Sequence, residues 1–123
     1  MADKRRKLGD FGEQAAAHYL LRHGYTIEDR QWRGAGGELD LVARDGMTLV
    51  FVEVRTRRDD VVGVAEESVG RAKQARLMAL AYAYLEAHAI APDVEWRIDV
   101  IAVDVDRAGR VARLSHIPYA VEA

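Results

Sequence analysis

The stretch Gly37-Glu38-Leu39-Asp40-Leu41-Val42-Ala43-Arg44-Asp45-Gly46-Met47-Thr48-Leu49-Val50-Phe51-Val52-Glu53-Val54-Arg55 decides how the rest of this chain is read. Two runs rich in apolar and β-branched residues flank Asp45-Gly46, and an Asp-Gly pair in that setting is the strongest short-range signal of a β-hairpin. Taking Asp45 and Gly46 as a two-residue turn sets Arg44 opposite Met47, Asp40 opposite Phe51 and Glu38 opposite Glu53. Directly paired residues share a face. Asp40 and Glu53 therefore lie diagonally on one face, at a backbone separation of about 7–8 Å from which side chains converge. Arg55, two residues beyond Glu53, points the same way. Like charges on one face of an otherwise apolar hairpin cost stability unless something neutralises them. A bound cation would do so, and oxygen ligands in a chain without cysteine favour Mg2+ or Mn2+. A solvated outer face, with each acid paired to an arginine, explains the hairpin equally well when it is taken alone.

Working outward, Asp10 to His23 has helical character, with Asp10 as N-cap and Gly24 placed to end it. Tyr25 to Arg30 reads as a short strand, and Gly34-Ala35-Gly36-Gly37 as a flexible connection into the hairpin strands Glu38 to Arg44 and Thr48 to Arg55. A loop from Thr56 to about Glu67 precedes a long helical run, Ser68 to His88, whose apolar stripe is Leu77, Leu80, Ala81 and Tyr84. Pro92-Asp93 breaks it. Val94 to Val105 is a strand, and Ala108-Gly109 turns into a last strand, Arg110 to Ile117. The order of helix, three strands, helix and two strands predicts an α/β fold, a mixed sheet flanked by helices.

The chain has 123 residues, half of them hydrophobic, which suits a single domain spanning 1–123. Residues 1–8 form a basic N-terminal segment free to be flexible. Lys and Arg total 18 against 20 Asp and Glu, so no overall basic excess points to nucleic acid. The distribution is more informative, with basic clusters at Lys4-Arg5-Arg6-Lys7, Arg55-Thr56-Arg57-Arg58 and Arg71 to Arg76. With no cysteine, disulfides, thiolate zinc sites and cysteine nucleophiles are excluded. Neither a secretory signal nor a membrane-length apolar run is found, and a cytoplasmic, membrane-free protein is expected.

Two further residues point inward. On a helical projection of the first helix Gln14, His18 and Arg22 form a polar stripe, whereas Glu13 falls near Ala16, Ala17 and Leu20 on the side expected to face the sheet. Alone, it reads as a first-turn acid favoured by the helix dipole. Lys73 shares a stripe with Gly70, Leu77, Ala81 and Tyr84, at the edge of an apolar face from which lysines usually snorkel to water. Asp99, between Ile98 and Val100, needs a partner, and a structural salt bridge or cap is expected for it. His18, His23, His88 and His116 have no metal-ligand spacing, Ser68 and Ser115 have no adjacent base, and Gly34 to Gly37 lacks the spacing of a phosphate loop.

Gly12-Glu13, Gly37 to Ala43, Phe51-Val52-Glu53-Val54-Arg55-Thr56-Arg57, Ser68-Val69, Lys73 and Arg97 to Ala102 together resemble the YraN family of small bacterial proteins, over nearly the whole chain. That family looks like a branch of the PD-(D/E)xK nuclease superfamily, similar in layout to archaeal Holliday-junction resolvases. The resemblance implies a restriction-endonuclease-like core. By position Glu13 matches the helix glutamate of that superfamily, Asp40 the hairpin aspartate and Glu53 the acid of the last motif. Arg55 stands where the superfamily has lysine, and Leu39 where a proline precedes the aspartate. Arginine holds phosphate bidentately but carries no proton in catalysis.

The function expected from this resemblance is metal-dependent hydrolysis of phosphodiesters, in structured or branched DNA. Asp40, Glu53 and the Val54 carbonyl would hold Mg2+ or Mn2+, and Glu13 would assist. Arg55 or Lys73 would stabilise the transition state. Arg57, Arg58, Arg33 and the run Lys4, Arg5, Arg6 and Lys7 would track backbone phosphates, and Trp32 would either stack on a base or pack in the core. The rival expectations are a non-catalytic nucleic-acid-binding module on a nuclease fold and a protein-interaction module. Resolvase-like relatives act as homodimers, which here would pair through the strand Val94 to Val105 or an exposed end of the sheet.

Overall fold

The computed structural model describes residues 2–58 and 69–121, with side chains from Arg6 onward. Helix α1 (Ala2–Arg22) leads into strands β1 (Thr26–Gly34), β2 (Gly37–Asp45) and β3 (Thr48–Arg58), followed by helix α2 (Arg71–Ala87) and strands β4 (Trp96–Val105) and β5 (Val111–Val121). The strands form one sheet in the order β1-β2-β3-β4-β5. All neighbours are antiparallel except β3 and β4, which are parallel, as a crossover through a helix requires. The α/β layout and element order are those predicted.

The sheet is covered on both faces, which is why its central strands read as nearly continuous apolar runs. On one face Ala16, Ala17 and Leu20 of α1 meet Leu41, Ala43, Val50, Val52, Ile101 and Val103. The two alanines let the helix lie close to the strands. On the other face Leu77, Leu80, Ala81 and Tyr84 of α2, the stripe expected from sequence, meet Leu39, Val42, Leu49, Phe51, Ile98 and Val100. Each large side chain fully removed from water there contributes about 1.5–3 kcal/mol.

Several boundaries differ from expectation. The basic segment expected to be flexible is the first part of α1, and Asp10 lies inside the helix instead of capping it. Good helix formers on either side of Gly9 outweigh the ~1 kcal/mol that a helical glycine costs relative to alanine. β1 runs on through Trp32 and Arg33 to Gly34. The glycine-rich connection is a tight turn, with Gly34 paired to Gly37 and positive φ at both Ala35 (48°) and Gly36 (77°), as a type I′ hairpin demands. β3 extends to Arg58, past the expected loop start at Thr56. α2 begins at Arg71, and Ser68 lies outside the described residues. β4 begins at Trp96, and β5 continues past Ile117 across Pro118, which an edge strand tolerates. The strand suggested for pairing two subunits, β4, is hydrogen-bonded to β3 and β5 on its two sides and has no edge to offer. The open edges belong to β1 and β5.

The hairpin register also differs. Asp45 pairs with Thr48, so the turn residues are Gly46 (φ 62°) and Met47, and Leu41 pairs with Val52. Continuing that register one step brings Asp40 directly opposite Glu53, not diagonal to it, and Glu38 does not face Glu53. A glycine at the first central position suits a type II′ turn, which matches the twist of the strands it joins.

Asp99 has the structural role expected. It is fully buried, and accepts hydrogen bonds from Arg97 Nε (3.0 and 3.2 Å), His116 Nε2 (2.7 Å) and the Tyr119 backbone N–H (3.0 Å). Arg97 also donates to Tyr25 Oη at 2.9 Å, and Tyr19 Oη lies 3.1 Å from His116 Nδ1. This network ties β4 and β5 to the C-terminal end of α1.

Candidate metal centre

The sheet opens where β2 parts from β3. Leu39 and Leu41 are two residues apart and would share a face in a regular strand, yet Leu39 lies under α2 and Leu41 under α1. The alternation therefore fails at Asp40. Opposite it on β1, between the pairs Arg30–Leu41 and Trp32–Leu39, Gln31 has a left-handed φ of 50°. Ladder pairing with β3 ends at Leu41–Val52, and beyond it the Asp40 side chain replaces the ladder, with Oδ2 accepting the Val54 N–H at 2.8 Å.

Four acids meet at this opening. Ligand oxygens of Glu13, Glu38 and Asp40 lie within 4.8 Å of one another. Asp40 interacts electrostatically with both Glu13 and Glu53, so it links the other two predicted acids, with Glu53 outside the group of three. Carboxyl groups that close must share protons or a cation. Burial pushes the Asp40 carboxyl up to about 8, helped by the charges of Glu53 and Glu13 and opposed by the Val54 N–H. Glu13 is raised as well, first by burial and then by Glu38 and Asp10, while a hydrogen bond from Gln31 lowers it. Glu53 is 8% exposed and is balanced by Lys73, whose Nζ lies 2.8 Å from its Oε2. A cleft of about 460 Å3 gathers Glu13, Glu38, Asp40, Glu53, Val54, Lys73 and Arg76 between the N-terminal parts of the two helices.

The other expected residues are placed more variously. Arg55 lines a smaller recess of about 160 Å3 with Glu53, Val69, Gly70 and Lys73, on the α2 side of the acids. Arg57 is half-buried and Arg58 exposed at the end of β3, and Arg6 and Lys7 are exposed on α1, just before the Leu8 and Gly9 that line the cleft. The side chains of Lys4 and Arg5 lie outside the described residues. Arg33 is exposed at the tip of the first hairpin, 3.5 Å from Glu38. Trp32 is partly buried against the α2-side core, edge-on to Tyr84 at 5.1 Å, and its ring packs there instead of standing free to stack on a base.

The described part of the chain includes no helix long and apolar enough to cross a membrane. The model of a family described as "Uncharacterised protein family UPF0102" matches residues 12–103. The chain belongs to the UPF0102 family. It is similar to a UPF0102 protein of Roseiflexus castenholzii, 52% identical over 122 residues covering 99% of this chain and 98% of that one. A relative in Chloroflexus aurantiacus is 54% identical over 121 residues, covering 98% of each chain. One in Pelotomaculum thermopropionicum is 48% identical over 120 residues, covering 98% of this chain and 99% of that one. The UPF0102 match begins at Gly12 and so takes in all four acids and Lys73.

Sequence reasoning missed Glu38, Gln31, Gly12 and Arg76 as parts of this UPF0102 site. Alternation did put Glu38 on the face of Asp40, but the assumed register spent it opposite Glu53. Gln31 fell just past the expected end of its strand. Gly12 is set by a close approach, since a Cβ there would lie 2.8 Å from Thr56 Cγ2 and 2.9 Å from Thr56 Cβ. The bare helix surface at Gly12 is what lets α1 lie against Thr56 near the end of β3.

Proposed function

We propose that this UPF0102 protein is a divalent-metal-dependent nuclease that hydrolyses phosphodiester bonds in structured or branched DNA in the cytoplasm. The observation that carries the reading is the convergence of Glu13, Asp40 and Glu53, with Lys73 against Glu53, at the open end of the sheet. The donor set fits Mg2+ or Mn2+: carboxylate oxygens from Asp40, Glu53 and Glu13 are hard ligands for a hard cation, and the Val54 carbonyl would join them. The upward shift of Asp40 supports the fit, because a group that resists ionisation among other acids is relieved by a cation. Such an ion, when bound, lowers the pKa of a coordinated water and offsets phosphate charge.

The chain's own residues supply the rest. Lys73 enters from α2 and can donate to a phosphoryl oxygen, in the role that the PD-(D/E)xK resemblance gives to a strand lysine. Arg55 holds a phosphate with its planar fork and keeps its charge throughout. Arg6, Lys7, Arg57 and Arg58 follow the backbone and make binding salt-sensitive with little sequence preference.

The test is cleavage of branched, flapped and single-stranded DNA in Mg2+ or Mn2+. Cutting should vanish in Asp40→Asn and Glu53→Gln while DNA binding persists. Arg55 at the lysine position favours a second reading, a DNA-binding module without catalysis, which predicts binding without cutting under every metal. Absence of cutting, DNA binding and calorimetric metal binding together would overturn both readings.

A further inference from the structure

We propose that Gln31 is a positioning residue for the metal centre, holding Glu13 in the orientation that lets it act together with Asp40; the inference rests on the nuclease reading. Three observations converge on Gln31. Its side chain crosses from β1 to α1, where Nε2 donates to Glu13 Oε1 at 3.0 Å. Its backbone has a φ of 50°, uncommon for a residue with a side chain, and strained positions of this kind cluster where function requires them. It stands across the β1–β2 ladder from Asp40, at the point where Leu39 and Leu41 show β2 changing faces.

The geometry gives Gln31 two separable roles. The backbone turns the edge strand, and with it the partner strand, so that Asp40 faces the opening and its carboxylate takes the Val54 N–H. The amide holds Glu13 Oε1 while a carboxylate oxygen of Glu13 stays within 4.8 Å of those of Asp40 and Glu38. Without that bond the half-buried Glu13 side chain regains rotamers and meets the other acids only part of the time. Groups that orient a ligand in this way typically contribute about 10–100-fold to metal affinity.

Glycine separates the roles, because it adopts the left-handed backbone freely and has no amide. Gln31→Gly should melt at or above the wild-type temperature, bind Mn2+ about 10–100-fold more weakly by calorimetry, and cut DNA with a lower kcat at an unchanged KM. Gln31→Asn, which also tolerates positive φ but is one methylene too short to reach Glu13, should lose the same Mn2+ affinity. Wild-type Mn2+ affinity, within twofold, in both variants overturns the assignment of Gln31 and leaves the metal centre standing. A wild-type protein that takes up no Mn2+ overturns the nuclease reading and the role of Gln31 with it.

Discussion

Replacing Asp40 by Asn should stabilise the metal-free protein at neutral and alkaline pH, and the size of the effect follows from its surroundings. Asn keeps an oxygen to accept the Val54 N–H, made at 2.8 Å in the wild type, and its amide donates toward Glu53 or Glu13 where the native pair must share a proton. The charged groups around position 40 are Glu13, Glu38 and Glu53, with Lys73 and Arg76 across the cleft. The Asp40 carboxyl titrates from 3.8 in the unfolded chain to about 8 in the folded one. Between those values the folded state binds the extra proton. The stability that protonation confers is therefore complete below about pH 4 and lost as pH rises toward 8, with a limiting slope of ~1.4 kcal/mol per pH unit. From pH 5 to 7 the loss is about 2–3 kcal/mol, or roughly 10 °C in Tm for a domain of this size.

Thermal unfolding followed by circular dichroism in EDTA from pH 5 to 8 should give a wild-type curve that falls more steeply than that of Asp40→Asn by about this amount. Glu13, raised in the same direction, slopes both curves. Saturating Mn2+ should reverse the order, because a ligand that binds only the folded state adds RT ln(1 + [L]/Kd) to its stability, and the wild type binds it better. Parallel curves in EDTA, or a wild type more stable than Asp40→Asn at pH 8, would refute the picture of an acid held neutral by burial and by its neighbours.

Gly12→Ala should destabilise the fold by about 1–3 kcal/mol through overpacking against Thr56, and Thr56→Gly in the same chain should recover much of it, as a double-mutant cycle in urea would measure. Asp99→Asn leaves Arg97, His116 and the Tyr119 N–H short of acceptors in a fully buried site, and should lower stability by about 3–5 kcal/mol while leaving Mn2+ affinity of the folded protein unchanged. If Lys73 supplies the catalytic lysine, single-turnover cleavage should fall about 100-fold in Lys73→Met and change little in Arg55→Lys. The reverse pattern would move that role to the strand.

Local periodicity carried much of this protein. The apolar stripe Leu77, Leu80, Ala81 and Tyr84 is buried as the helical spacing predicted. Glu13, on the helix that buries Ala16, Ala17 and Leu20, reaches Gln31 and the carboxylates of Glu38 and Asp40 on the sheet. Asp40 and Glu53 are neighbours even though the turn was misplaced: moving it from Asp45-Gly46 to Gly46-Met47 slides the partner strand by two residues, which preserves faces as far as Leu41–Val52, and beyond that pair the break in alternation at Asp40 sets where its carboxylate points. Tertiary structure decided what no local period encodes. Whether Glu38 joins Glu13 and Asp40, whether Lys73 reaches Glu53, and whether Trp32 is core or surface all depend on where two helices settle on opposite faces of one sheet. The break at Gln31 and Asp40 is a departure from strand alternation, and it cannot be read from an alternation rule. The four acids thus belong to the sequence, and their meeting to the folded sheet, where desolvation and mutual repulsion give a carboxyl a proton affinity that the unfolded chain does not have.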